Sequence, residues 1–112
     1  KKQNVRIQEE MEEATRYFNR SYNQNISIED YAVSKHMSAC WFIRNFKQYH
    51  NITPMQYILN LRIANAENLL ITTSCNVTEI AAIVGYENPL YFSRLFKKHT
   101  GMSPSEYRKA GG

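Results

Sequence analysis

His36 and Cys40 stand four residues apart, a spacing that on one continuous helix would suit two metal ligands or a thiol nucleophile beside its base. Here the pair straddles a turn and lacks a third partner, so no catalytic, cofactor-binding or metal-binding constellation is expected, and no enzyme activity. The stronger pattern is one of bases. On a helix that advances about 100° per residue, Phe42, Phe46 and Tyr49 share one side, which reads as the buried face. The opposite side carries Cys40, Ile43, Arg44 and Lys47. A second helix repeats the arrangement, with Phe92, Phe96 and His99 inward and Leu90, Ser93, Arg94 and Lys97 outward, Lys98 beside them. Neither outward set contains an acid. Bases near the middle and end of a helix face, after short side chains beginning at Ser38, are what a helix entering a DNA major groove presents. A solvated basic face is the plainer alternative, and its force falls when matched positions carry the pattern twice.

The elements that position these faces are themselves a repeat. Sliding the chain by fifty residues aligns Phe42 with Phe92, Arg44 with Arg94, Phe46 with Phe96, Lys47 with Lys97, Pro54 with Pro104 and Tyr57 with Tyr107. Ser38 and Asn88 are both N-cap types, and Asn51 and Gly101 both suit a left-handed helix stop. Thr53-Pro54-Met55-Gln56 and Ser103-Pro104-Ser105-Glu106 are both capping boxes with proline at the first helical position. Upstream of each second helix a shorter one is expected at an offset of forty-nine: Ser27 with Asp30, running to about His36, and Asn76 with Glu79, ending at Gly85. Each pair forms a helix-turn-helix, the second copy carrying one extra residue in its turn. Ala32 and Ala81 fall where two such helices cross closely.

An amphipathic helix over 5–22 precedes the first copy, with Ile7, Met11, Ala14 and Phe18 on one face. A helix from Thr53-Pro54 to about Ile71, about 27 Å long, links the copies. Its apolar residues (Ile58, Leu61, Ile63, Ala66, Leu69, Leu70) occupy more than one face, as a helix serving two small cores requires. The expected fold is all-α with about seven helices: a first helix-turn-helix module over 5–50, a linker helix over 53–71 and a second module over 72–110.

Length bounds this to one domain or two very small ones, and the net charge of +4 leans towards an anionic partner. The glutamates crowd early, at Glu9, Glu10, Glu12 and Glu13, which concentrates positive charge on the repeated part. Two cysteines without metal-type spacing or a secretory signal suggest a reduced, cytoplasmic setting, and no apolar run is long enough for a membrane span. The chain begins at Lys1 rather than Met and so reads as a piece of a longer protein. His50 and His99 fit stabilising positions at helix C-termini. Trp41 suits packing or stacking on a sugar, Arg62 a phosphate contact or an internal anchor, and Cys75 no role.

The second half carries a specific set of motifs: Val77, Glu79-Ile80-Ala81, Val84-Gly85-Tyr86, Tyr91-Phe92-Ser93-Arg94, Phe96-Lys97-Lys98, Gly101, Ser103-Pro104 and Tyr107-Arg108. The linking segment adds Tyr57-Ile58, Leu61-Arg62, Ala66 and Leu69-Leu70. From about Ser27 to Arg108 the chain resembles the C-terminal DNA-binding domain of the AraC/XylS family of bacterial transcription regulators. The resemblance implies two helix-turn-helix modules reading successive major grooves of double-stranded DNA, usually in an activator. Carried over by position, Cys40, Ile43, Arg44, Leu90, Ser93 and Arg94 face the bases. RNA polymerase is a further possible partner, no membrane is involved, and the fragment is expected to be monomeric, any dimerisation lying in a missing companion domain. Asn45 departs from the family's usual apolar residue, which leaves either looser packing or a bond to the backbone or DNA. A helical interaction module that has lost DNA binding is the alternative function.

Two joined readers with different faces predict an asymmetric target of about 15–20 base pairs per monomer, with protected major-groove segments about 10 base pairs apart. Selection from a random duplex pool followed by footprinting checks this. Recovery of an inverted repeat bound only by a dimer contradicts it, and an insertion of about 5 base pairs should remove most of one module's contribution.

Overall fold

The computed structural model describes residues 2–111. Among the described residues seven helices follow one another: α1 (Lys2–Ser21), α2 (Ile28–Ser34), α3 (Ala39–His50), α4 (Pro54–Thr72), α5 (Val77–Ile83), α6 (Pro89–Thr100) and α7 (Pro104–Ala110). No strand occurs among the described residues. The chain divides into two compact units, Lys1–Leu59 and Asn60–Gly112, so the division falls inside α4. Of the helix expected over 53–71, Pro54–Leu59 belongs to the first unit and the remainder to the second.

Local chemistry sets most helix ends. The Asn76–Glu79 and Ser103–Glu106 capping boxes are complete, each side chain bonding the other residue's backbone N–H. Thr53 and Gln56 make the same reciprocal pair at 2.9 and 3.2 Å. At Ser27 only one leg forms: the hydroxyl accepts from the Asp30 N–H at 3.1 Å, and Asp30 is one methylene shorter than the glutamates that reach back elsewhere. Asn51 and Gly101 both stop their helices in the left-handed region, at φ 66° and 86°. α2 stops at Ser34, short of the expected His36, because His36 itself turns left-handed (φ 62°) and Met37 N–H returns to the Ala32 carbonyl at 2.9 Å. The second unit repeats this turn with Gly85 (φ 109°) and Tyr86 N–H bonded to the Ala81 carbonyl at 2.8 Å. Ala32 and Ala81 are both fully buried.

The repeat extends further than a single offset reveals. Met11, Ala14 and Phe18 on α1 and Ile63, Ala66 and Leu70 on α4 are all buried and stand fifty-two residues apart. α1 thus does for the first unit what the second part of α4 does for the second. The closing elements match as well. Tyr57 meets Phe46 edge-on at 5.6 Å and 82°, and Tyr107 meets Phe96 at 5.5 Å and 84°. In the first unit Phe18 is the hub, with ring centroids 5.7 to 6.3 Å from Tyr31, Phe42, Phe46 and Tyr57. Truncating a phenylalanine so enclosed costs about 3–5 kcal/mol.

Tyr31 is 8% exposed and its hydroxyl is buried without a hydrogen-bond partner. Burial, with Glu13 and Glu10 nearby, pushes its phenol up to about 12. Folding therefore favours the protonated phenol, a contribution present below about pH 10 and lost as pH rises through the folded value. Since the ring packs well and the hydroxyl bonds nothing, Tyr31→Phe should stabilise the chain by about 1 kcal/mol at neutral pH and flatten the alkaline loss. Thermal unfolding at several pH values checks this, and a loss of stability at pH 7 would show that the hydroxyl holds a partner.

Candidate nucleic-acid interface

α3 and α6 are aimed by the residues they bury. Phe42 and Phe46 on α3, and Phe92 and Phe96 on α6, are fully buried one turn apart. The remaining members of the expected inward faces are not. Tyr49 is 40% exposed and donates its hydroxyl to the Glu12 carboxylate at 3.0 Å, a bond that raises the phenol above its ordinary value. His99 is exposed. The inward face continues instead through His50 and Thr100, both half-buried, which lie one turn beyond the second phenylalanine.

His50 explains the rotation in the first unit. Its ring sits 4.4 Å from Phe46, and its Nε2 lies 2.7 Å from the Thr15 hydroxyl on α1. That hydroxyl donates its proton to the Met11 carbonyl at 2.8 Å, so the imidazole Nε2–H is the donor in the contact with Thr15. Burial lowers the imidazole pKa, which favours the neutral ring. His50 is therefore a packing residue tying α3 to α1 rather than a cation placed against the helix dipole.

Cys40, Ile43, Arg44 and Lys47 are exposed along α3, and Leu90, Arg94, Lys97 and Lys98 along α6, with Ser93 half-buried between them. Ser38 is exposed, and its oxygen caps α3 by accepting from the Trp41 N–H at 3.1 Å. Asn88 does the same for α6, accepting from Leu90 and Tyr91 at 2.9 and 3.1 Å. Each unit thus offers a capped helix N-terminus, a mid-helix arginine and basic residues in the last turn, with no carboxylate on the helix. The early glutamates are partly committed elsewhere: Glu13 pairs with Lys35 at 2.6 Å, and that bond holds its carboxyl below the ordinary range.

Three further residues find their places. Asn45 donates to the Trp41 carbonyl at 2.8 Å, so its amide serves the backbone of α3. Arg62 lays its guanidinium 4.8 Å from the Tyr86 ring centre, an internal anchor. Arg108 donates to the Leu70 carbonyl at 2.9 Å and the Thr73 carbonyl at 3.0 Å, closing the end of α4. Sequence reading missed this last role because the partners are backbone oxygens, which leave no trace in side-chain pattern. Among the described residues no three His, Cys, Asp or Glu side chains gather closely enough to hold a metal ion, and no helix is long and apolar enough to cross a membrane.

Residues 31–110 match the family of the helix-turn-helix domain. The lactose operon transcription activator of Staphylococcus xylosus is 35% identical over 102 residues, covering 91% of this chain and 37% of that protein. The chain thus spans about a third of the length of the curated relatives it matches. The C-terminal domain of AraT, a response regulator from Geobacillus stearothermophilus, superposes with a TM-score of 0.86 at 32% identity, covering 89% of this chain and 84% of that one. The DNA-binding domain of the transcriptional factor AdpA, solved with a target DNA, gives 0.83 at 27% identity, with 89% and 90% covered.

Ile43 and Leu90 are 38% and 59% exposed on faces otherwise polar or small. Contact with thymine methyl groups would give both a purpose. Ile43→Ser and Leu90→Ser should then weaken binding to a selected duplex by about 1–3 kcal/mol each, only at particular base pairs. Replacing thymine by uracil throughout that duplex, read by mobility shift, is the check: unchanged wild-type affinity rules the contact out.

Proposed function

This chain belongs to the AraC/XylS family as its helix-turn-helix DNA-binding domain, and we propose that it binds double-stranded DNA sequence-specifically to regulate transcription, with α3 and α6 in successive major grooves. The observation that carries this is the pair of acid-free outward faces, one in each unit, on helices capped and aimed alike. Arg44 and Arg94, at mid-helix, are assigned to guanine edges or the nearest phosphates. Lys47, Lys97 and Lys98, in the last turns, are assigned to the phosphate backbone, and Ser38 offers its hydroxyl proton at the entry to α3. Cys40, Ile43, Leu90 and Ser93 supply the short or apolar contacts that make the two half-sites differ.

The domain binds and does not catalyse. It acts as a monomer on DNA in the cytoplasm, and in the longer protein it works in activation through contact with RNA polymerase. Loss of DNA binding in favour of a protein partner is the competing function, and electrostatics separates the two. If each unit neutralises about three to five phosphates, the logarithm of the association constant should fall against that of salt concentration with a slope of roughly −5 to −9. Titration of a random duplex pool across a salt series measures it. A nearly flat dependence favours the protein partner.

A further inference from the structure

The two units differ where each recognition helix begins. In the second unit the Arg62 guanidinium lies 4.8 Å from the Tyr86 ring centre. Tyr86 rests against buried Phe92 at 5.8 Å and 34°, and Tyr91 meets it edge-on at 5.9 Å and 63°. The same places in the first unit hold Glu10, Met37 and Trp41. A carboxylate gains nothing from a ring face and a methionine has no ring to offer, so no such stack can form there. An open groove remains instead, lined by Ile7, Glu10, Met37 and Trp41 among others, and Trp41 is half-buried along it. Tyr91 is 55% exposed. Two aromatic residues at one position of the repeat thus face different surroundings, and only Tyr91 carries a hydroxyl.

An exposed tyrosine would ordinarily be mobile. This one is oriented by a neighbour that is itself fixed by a cation and by the core. Tyr91, Arg94 and Lys98 also follow at i, i+3 and i+7, one stripe along the flank of α6, and the other two members are exposed bases. We infer that Tyr91 is a further DNA-contact residue of the second unit, donating its hydroxyl to a backbone phosphate at the rim of the groove that α6 enters, with Tyr86 and Arg62 as the positioning residues that hold its ring there. This rests on the DNA-binding function proposed above and adds a contact outside the base-facing set. The first unit has Trp41 at this position, an indole N–H donor without the stacked tyrosine and arginine behind it, so the flanks of the two recognition helices differ.

The experiment uses two probes: the duplex that the wild-type chain selects from a randomised pool, and an unrelated duplex of the same length, each titrated over a salt series. Tyr91→Phe should weaken binding to both by a similar factor, about 3- to 10-fold, without changing the salt slope, because a neutral donor releases no counterion. Its thermal unfolding should match wild type. Arg62→Gln should weaken binding similarly, leave the slope unchanged, and add little when combined with Tyr91→Phe. Lys98→Gln, the charged control on the same stripe, should lower the slope by about one. Wild-type affinity in Tyr91→Phe overturns the inference. So does a loss confined to the selected duplex, which would make Tyr91 a base contact, and so does a slope lowered by one in Arg62→Gln, which would put Arg62 itself on a phosphate. Failure of the wild-type chain to bind either duplex overturns the DNA-binding function instead.

Discussion

Rotation of the recognition helices about their own axes is the constraint on which everything else depends. Each is set by two phenylalanines one turn apart, Phe42 with Phe46 and Phe92 with Phe96, all fully buried. Slipping a helix by one residue turns every side chain by about 100°, which would carry Arg44 or Arg94 away from the outward face and leave a phenylalanine in water. The apolar burial that stabilises each unit therefore also decides which residues face outward. The buried phenylalanines and the exposed bases lie on opposite sides of the same 12-residue helix.

Those phenylalanines need walls, and the two units build theirs from equivalent parts with different covalent histories. The first has a dedicated helix in α1, while the second borrows the latter part of α4, whose opening turns already close the first unit through Tyr57. One helix thus carries two faces with different duties. This accounts for apolar residues scattered around it and for buried positions at Ile58, Ile63, Ala66 and Leu70 that no single stripe would connect.

Much of this was legible in the sequence because it rests on short-range chemistry. Caps, boxes and left-handed stops involve residues within four positions of one another, and the capped starts of α3, α5 and α7 fall where residue type places them. The outward bases were legible for the same reason. What stayed hidden depends on partners distant along the chain. Tyr49 looked inward on a helical wheel, yet Thr15, thirty-five residues from His50, decides that the face turns toward the imidazole. The correspondence of α1 with α4 was hidden because its offset differs from that of the phenylalanines, as loops of unequal length require. Asn45 is a third case: a polar side chain in a half-buried position could bond backbone or ligand, and the fold gives it the Trp41 carbonyl.

The bonds from Arg108 to the C-terminal end of α4 bear on where the domain can be cut. A deletion beginning after Thr100 would remove the ring of Tyr107 from Phe96 and leave the Leu70 and Thr73 carbonyls without their guanidinium. The damage would then reach back across almost forty residues to a helix that the deletion never touched. Lys109 and Ala110 are exposed, so a tag or fused partner joined after Arg108 meets solvent rather than the core. The working edge of the fold is thus a single arginine, and minimal versions of this domain must keep it.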